Sequence, residues 1–575
     1  MLQKMHFSLY FALSLFVGLN LLVADEESVK AFQDDRPNII FFLTDDQRND
    51  FLGCTGHPIV KTPRIDNLAN NGRLFDNAFV STSICAASRA TLLTGLYERT
   101  HRFTFGTPPV ADIHINESYP ALLKKEGYLT GFIGKFGIKV RKGAIEAMFD
   151  SFVPLNRSPY FHKQKDGSLR HETQVAADRA IDFLDRAKNE AEPFCLSISF
   201  NASHAEDRDK KDHFPYPKVV WSLYDEVKMP APRLADPEVF NSQPEFLRKS
   251  MNRDRFFWRW DTEDKYQNNM RNYLRMISGI DHAIGRVIDE LKSKGMDKNT
   301  VIIYMADNGY YAASRGFAGK WSHYEESQRV PLIIFDPREK NENRGKKEKG
   351  IALNVDIAPT IVALAGARMP EGYQGRSLSS SLGGKVKGKS PQDFFCEHRM
   401  NNRSIPKWEG VRGERFKYAR YYEQDPPFEF LHDLKSDPME LKNLVNDPAH
   451  KEKLEELRKR CIALSAQYDN QAKEDSKRVL KKVQFGLLDA GNHGSTEGAI
   501  TEALALDPES KEALLARADM HERKGDFGKA LLDLDKLVKA LPGVDQLLQR
   551  RGVTRFFNGD MKGCLLYTSP SPRDS

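Results

Sequence analysis

The sequence predicts a large α/β domain on a mostly parallel, mixed sheet sandwiched by helices, and three observations carry that expectation. Short, nearly unbroken apolar runs recur along the chain, amphipathic helical patterns lie between them, and two of the runs stop abruptly on paired polar residues. Runs that are apolar at every position fit strands covered on both faces. Their alternation with helices is the pattern of βαβ units.

The first run, in "RPNIIFFLTDDQRND", predicts a strand over Asn38 to Thr44 that ends at Asp45 and Asp46. In open α/β sheets the edge past the strand C-termini is where ligands bind. Similar runs are "GYLTGFIGKFG" at 127–137, "PFCLSISFNASH" at 193–204, "NTVIIYMADNG" at 299–309 and "VPLIIFDP" at 330–337. Helical periodicity marks 173–190 and 272–295. The run at 299–309 repeats the design of the first, with Asp307 and Asn308 at its end. Singly, each pair reads more readily as a turn or a helix cap than as a metal ligand. Together, on strand ends of one sheet, they suit a hard divalent cation such as Ca²⁺ or Mg²⁺ rather than a soft metal. "NVDIAPTIVALAG" at 354–366 reads as a short linker and helix, "GGKVKGKSPQD" at 383–393 as a surface crossing, and "FKYARYY" as short antiparallel strands.

Composition narrows the classes. The 575 residues are 40% hydrophobic and 29% charged, enough for two or three domains with cores. A net charge of +6, spread over 86 basic and 80 acidic residues without a long basic run, gives no support for a nucleic-acid partner. Residues 1–24, with Lys4, an apolar stretch of roughly 15 residues and small residues up to Ala24, read as a cleaved signal peptide for a secreted or periplasmic protein; the competing reading is a short membrane anchor. Cys54, Cys85, Cys195, Cys396, Cys461 and Cys564 are scattered without paired spacing, which argues against a zinc knuckle and leaves isolated disulfides open.

Cys85 opens "CAASRATLLTG". This stretch resembles the signature of the formylglycine-dependent sulfatases of the alkaline phosphatase superfamily, in which the cysteine is oxidised to formylglycine. The resemblance covers about residues 36–470. It implies a catalytic α/β domain over 36–380 and a small C-terminal subdomain with a four-stranded antiparallel sheet over 390–470. It further implies one Ca²⁺ bound by Asp45, Asp46, Asp307, Asn308 and the modified Cys85, and a maturation enzyme as a partner. Arg89 matches the signature arginine. Lys135 in "GKFGIK", His204 in "SFNASHAED" and Lys320 in "GKWSHYEESQRVPL" match residues that contact the sulfate. Read without the resemblance, the two lysines are surface residues and His204 a capping or core histidine. One position departs: many relatives carry histidine where this chain has Gly137, and Ala87 is the less usual of two residues accepted within the motif.

The chemistry implied is attack on sulfur by one hydroxyl of the hydrated aldehyde, with sulfate expelled as the aldehyde re-forms. Lys135, Lys320 and Arg89 would neutralise the sulfuryl oxygens, and His204 would protonate the leaving alkoxide. The expected substrate is a sulfated carbohydrate. A phosphate or phosphonate ester hydrolase of the same superfamily is the enzymatic alternative, and a non-catalytic repeat-containing binding protein the other.

Past residue 480 the character changes. Gly525 and Gly559, Pro508 and Pro542, and Arg517 and Arg551 each recur at a 34-residue interval within Ala-rich helical pairs. This is similar to tetratricopeptide repeats, here a truncated region over 480–563 that could recruit a protein partner. "CLLYTSPSPRDS" at 564–575 has no repeat character and reads as translated sequencing adapter.

Overall fold

In a computed structural model, the described residues are 36–190, 192–209, 211–379, 390–484 and 493–560. The expected signal peptide, most of the crossing at 383–393 and the adapter-like tail lie outside them. The central sheet comprises β1 (Asn38–Thr44), β2 (Arg73–Phe75), β3 (Leu129–Gly134), β4 (Ser151–Pro154), β5 (Phe194–Ser199), β6 (Thr300–Ala306), β7 (Leu332–Phe335) and β8 (Lys346–Glu348), in the order β8-β2-β7-β6-β1-β5-β3-β4. Every pairing is parallel except those of β7 with β6 and β2.

The unbroken apolar runs follow from burial on both faces. Ile40, Phe42, Ile302 and Tyr304 join one core with Ala176, Ala180 and Phe183 of α2 (Glu172–Ala187) and Tyr273, Ile277 and Ile284 of a long helix, Glu263–Ser293. Ile39, Phe41, Leu43, Ile303 and Met305 join a second core with Ala86, Ala90 and Leu93 of α1 (Cys85–Thr94) and Ile357 and Ile361 of Ile357–Leu364. Alternate side chains of one strand therefore feed opposite cores.

The long helix begins nine residues before the expected 272, after Met251–Arg259, which is α3 and precedes it as α4. Its first turns are polar, so hydrophobic periodicity is silent there. The start is set instead by Thr262, whose Oγ1 accepts from the Lys265 amide at 3.3 Å, with Glu263 and Asp264 in the first turn. Ile357–Leu364 is α5.

The expected small antiparallel sheet is present as β9 (Asp393–His398), β10 (Trp408–Gly413), β11 (Phe416–Tyr421) and β12 (Phe428–Asp433), in that order. Its buried Phe395, Val411 and Leu431 pack with Leu454, Leu457, Cys461 and Tyr468 of α6 (Lys451–Gln484). Helices α7 (His493–Leu506), α8 (Lys511–Arg523), α9 (Phe527–Ala540) and α10 (Asp545–Phe557) follow, each packed on the next. Ile500, Ala503 and Leu504 of α7 share a core with Val479 and Leu480 of α6 and with Ala111 and Ile113 of the α/β layer. Glu502 accepts from the Ile113 amide at 3.1 Å and pairs with Arg141. Cys54, Cys85, Cys195, Cys396 and Cys461 are free thiols, so none of the described cysteines forms a disulfide.

Candidate active site

Strand register assembles the site. Thr44 pairs with Ala306 across β1 and β6, and Gly134 with Ser199 across β3 and β5, so neighbouring strands stop at one level. The chain beyond each strand is tied to its neighbour: the Asp307 amide donates to Thr44 O at 2.9 Å, Asp45 N to Ala202 O at 3.1 Å and Lys135 N to Ser199 O at 2.7 Å. Asp45 and Asp46, Lys135, His204, and Asp307 and Asn308 are thereby delivered to one sheet edge. Asp46 is in the left-handed region (φ 53°), a conformation that Asp tolerates better than most residues.

Cys85 is the first residue of α1, a helix with all ten residues buried, which ends on Gly95 (φ 67°). The helix N-terminus brings partial positive charge to the thiol's surroundings. Asp45, Cys85 and Asp307 hold ligand atoms within 4.8 Å of one another, as do Asp45, Asp46 and His204. Arg89, one turn into α1, reaches back to this group. Its Nε donates to Asp307 Oδ2 at 2.8 Å and its Nη1 to Lys135 O at 2.6 Å and to Ser199 Oγ. Lys135 pairs with Asp45 and Lys320 with Asp46. Lys320 is only 2% exposed, so the surface-lysine reading fails for it. His204 Nδ1 donates to Ala205 O at 2.7 Å, which leaves Nε2 facing Asp46 Oδ2 at 3.6 Å.

Burial and charge set the protonation of these groups. Burial would raise the Asp45 carboxyl, but Lys135, His204, Lys320 and Arg89 outweigh it and hold it well below the usual range. Asp307 is pushed up to about 7 by burial and by the Asp45 charge beside it. Burial, then Arg157, lowers the His204 imidazole. Burial alone would lower Lys320 and Arg89, and their carboxylate neighbours raise both above ordinary values.

The donor set fits a hard cation. Asp45 Oδ1 and Asn308 Oδ1 are buried without a hydrogen-bond partner, while Asn308 Nδ2 donates to Asp46 Oδ1 at 2.7 Å and so turns its oxygen away from that bond. Two unpartnered oxygens among three buried carboxylates are costly unless a cation takes them up. All nine residues expected from the sequence converge here.

A pocket of about 310 Å³ opens on Cys85, Lys135, His204 and Lys320. Sequence reasoning missed its other walls. Ile84, Met251, Trp321, Met400 and Ile405 form an apolar side, and Arg157, Asp207 and Arg255 a charged one. The β9–β10 loop supplies Met400, Asn402 and Ile405, and Trp408 of β10 donates its indole N–H to Trp321 O at 2.6 Å. Trp321 adjoins Lys320 in sequence, and Arg255 and Arg259 sit at helical i, i+4 spacing, signals that could have been followed. Gly137 also borders the pocket at φ 69°; a Cβ there would meet Arg89 Cδ at 3.1 Å. A side chain at this position would need both the left-handed backbone and a small shift of Arg89, which favours glycine.

Comparison with known proteins agrees with this geometry. The sulfatase family model matches residues 37–367, and a model described as the N-sulphoglucosamine sulphohydrolase C-terminal region matches 314–467. The chain is 28% identical over 516 residues to an N-acetylglucosamine-6-O-sulfatase of Bacteroides thetaiotaomicron, covering 79% of this chain and 90% of that protein. A structure described as in complex with its substrate D-glucosamine-2-N,6-O-disulfate superposes with TM-score 0.63 at 26% identity, over 76% of this chain and 98% of the other. A phosphonate monoester hydrolase from Silicibacter pomeroyi shares the fold, with TM-score 0.64 at 21% identity over 75% and 96% of the two chains. The sulfatase match spans all nine converging residues, from Asp45 to Lys320, and the chain belongs to the sulfatase family of sulfuric ester hydrolases.

Proposed function

We propose that the protein hydrolyses a sulfate ester on a sulfated carbohydrate, with a 6-sulfated glucosamine as the first candidate, through a formylglycine made from Cys85. The observation that carries this reading is the position of Cys85 at the start of α1, within reach of Asp45 and Asp307 and open to the pocket. The names of the relatives favour an amino-sugar sulfate.

In this reading Asp45, Asp46, Asp307, Asn308 and residue 85 would hold Ca²⁺, which when bound would supply positive charge that makes a nearby hydroxyl more acidic and screens the sulfuryl group. Hydration of the residue-85 aldehyde gives a geminal diol. One hydroxyl passes its proton to water as its oxygen bonds to sulfur and the sugar C–O–S bond breaks on its sulfur side, and the sugar oxygen leaves with a proton from His204, assisted by Lys320. Loss of the second hydroxyl's proton then re-forms the aldehyde and releases sulfate. An arriving sulfate anion opposes the effect of burial on His204 and favours its protonated form. Lys135, Lys320 and Arg89 balance the oxygens' charge, the electrostatic contribution that is usually largest. Gly137 leaves the base for the last step without the histidine of many relatives.

The division into a signal peptide at 1–24, a catalytic domain at 36–380, a C-terminal subdomain at 390–470 and tetratricopeptide repeats at 480–563 belongs to the same proposal, as do export and the maturation partner. The 34-residue period and the paired helices α8 and α9, joined by the Arg517–Asp533 ion pair at 2.7 Å, support the repeat reading. Mass spectrometry of the Cys85 peptide from the native host, with sulfate and phosphate release measured in parallel on the corresponding esters, tests the hydrolase reading. Loss of the cysteine sulfur with faster sulfate release is expected. An unmodified thiol in active protein, or faster phosphate release, would overturn it.

A further inference from the structure

Beside the residues that face the scissile group lies a second cationic cluster that the proposed chemistry does not use. Asp207 receives three guanidiniums: Arg157 Nη2 at 3.1 Å, Arg255 Nη2 at 3.3 Å, and Arg259. One carboxylate against three arginines leaves two positive charges uncompensated among these four residues. Arg259 is fully buried behind the cluster, whereas Arg157 and Arg255 line the same pocket as Cys85. The Nε atoms of Arg157 and Arg255 are buried and have no hydrogen-bond partner. Arg255 lies over the Trp321 ring at 4.9 Å, which fixes its plane against the apolar wall.

This surplus is distinct from the charge around the metal site. Lys135, Lys320 and Arg89 each pair with Asp45, Asp46 or Asp307 of the donor set and belong to the site of the cleaved sulfate. Arg157 and Arg255 form direct ion pairs with one shared carboxylate, and Asp45 and Asp46 act on them only from a distance. Guanidinium forks of this kind match the planar or tetrahedral oxygens of carboxylate and sulfate. Partly desolvated cations without enough counter-charge are unfavourable until an anion arrives.

We propose that Arg157 and Arg255, spread on Asp207, form a second anion subsite, so that the preferred substrate is a sugar with a second anionic substituent, sulfate or carboxylate, beside the sulfate that is cleaved. The proposal rests on the sulfatase reading for the cleaved group. Its arginines are specificity-determining and take no part in bond breaking. The Trp321, Met251 and Ile405 wall receives the uncharged face of the ring while the arginines hold the second anion.

The test measures binding rather than turnover. The full chain carrying Cys85→Ser is titrated calorimetrically with glucosamine 6-sulfate, with glucosamine 2-N,6-O-disulfate, and with glucosamine 6-sulfate linked to a uronate. A charge-assisted contact to the second anion predicts roughly 10- to 100-fold tighter binding of at least one dianionic probe. Which probe gains identifies sulfate or carboxylate as the group recognised. Adding Arg157→Gln or Arg255→Gln should bring the ratio of affinities close to one, and Arg255→Lys should restore part of it. The ratio is taken within each protein, so a general loss of folded material cancels. Equal affinity for all three probes in the Cys85→Ser chain, or a ratio that survives both glutamine substitutions, would overturn the subsite. If the ratio holds but mature enzyme releases sulfate from none of the probes, the hydrolase reading fails and the subsite stands.

Discussion

Replacing Gly137 by alanine probes the one place where this chain departs from the pattern its motif suggests. The residue sits at φ 69°, and an added Cβ would lie 3.1 Å from Arg89 Cδ and 3.6 Å from Lys135 Cε. The left-handed backbone costs a residue with a Cβ roughly 1–2 kcal/mol. The steric demand is a few tenths of an ångström, given ordinary carbon contacts of about 3.5–4.0 Å. Arg89 cannot swing away to meet it, because its guanidinium is held by Asp307 at 2.8 Å and by Lys135 O at 2.6 Å. Those bonds should stretch rather than break, since a break would cost about 1.5–3 kcal/mol more. Gly137→Ala is therefore expected to lose about 1–2 kcal/mol in denaturant unfolding, and kcat/KM should fall roughly tenfold as Arg89 and Asp307 shift together. Gly137→Asn separates the causes: asparagine tolerates the left-handed region, so it should recover much of the stability but little of the activity. Gly137→His should behave like alanine and should not act as a gain of the missing base. Unchanged stability and kcat/KM in Gly137→Ala would refute the claim that backbone conformation favours glycine here.

Two further outcomes are expected. Ca²⁺ at a hundredfold excess over its dissociation constant should stabilise the chain against chelator-treated protein by about 2.7 kcal/mol, and Asp307→Ala should abolish the shift; identical thermal midpoints with Ca²⁺ and with chelator would argue against the site. Glu98, raised to about 8 by burial and by Glu397, keeps a proton in the folded protein that the unfolded chain loses from about 4.5 upward. Stability from this group should fall as pH rises through that window by up to about 1.4 kcal/mol per pH unit. Glu98→Gln, which keeps an acceptor for Thr82 Oγ1, should flatten the slope, and an unaltered slope would dismiss the assignment.

Much of the site was readable because its residues lie directly after strands that announce themselves. Asp45, Asp46, Asp307 and Asn308 follow runs so apolar that the change of character marks the sheet edge, and neighbouring strands bring the pairs together without further information. Lys320 was harder. Nothing in "GKWSHYEE" says that the lysine is buried, because its partner Asp46 lies 274 residues away. The charged pocket wall was hard for the same reason: Arg157, Asp207 and Arg255 come from three segments, and beyond the i, i+4 spacing of Arg255 and Arg259 no pattern joins them until tertiary contact supplies one. Periodicity missed the polar first turns of α4, where a capping threonine decides the boundary. Alternation in "FKYARYY" located β11, but that its sheet sends a loop into the pocket depended on how β9 and β10 pack over Trp321.

The long helix α6 has a consequence for how the molecule can move. Its first half, through Leu454, Leu457 and Tyr468, is part of the core of the small sheet, and Val479 and Leu480 further along belong to the core of the terminal helices. The interval around 470–480, where the change in sequence character invites a joint, is thus spanned by an unbroken rod. Whatever grips α8 to α10 therefore bears, through α7, on the same rod that completes the core of the small sheet, whose β9–β10 loop reaches the pocket.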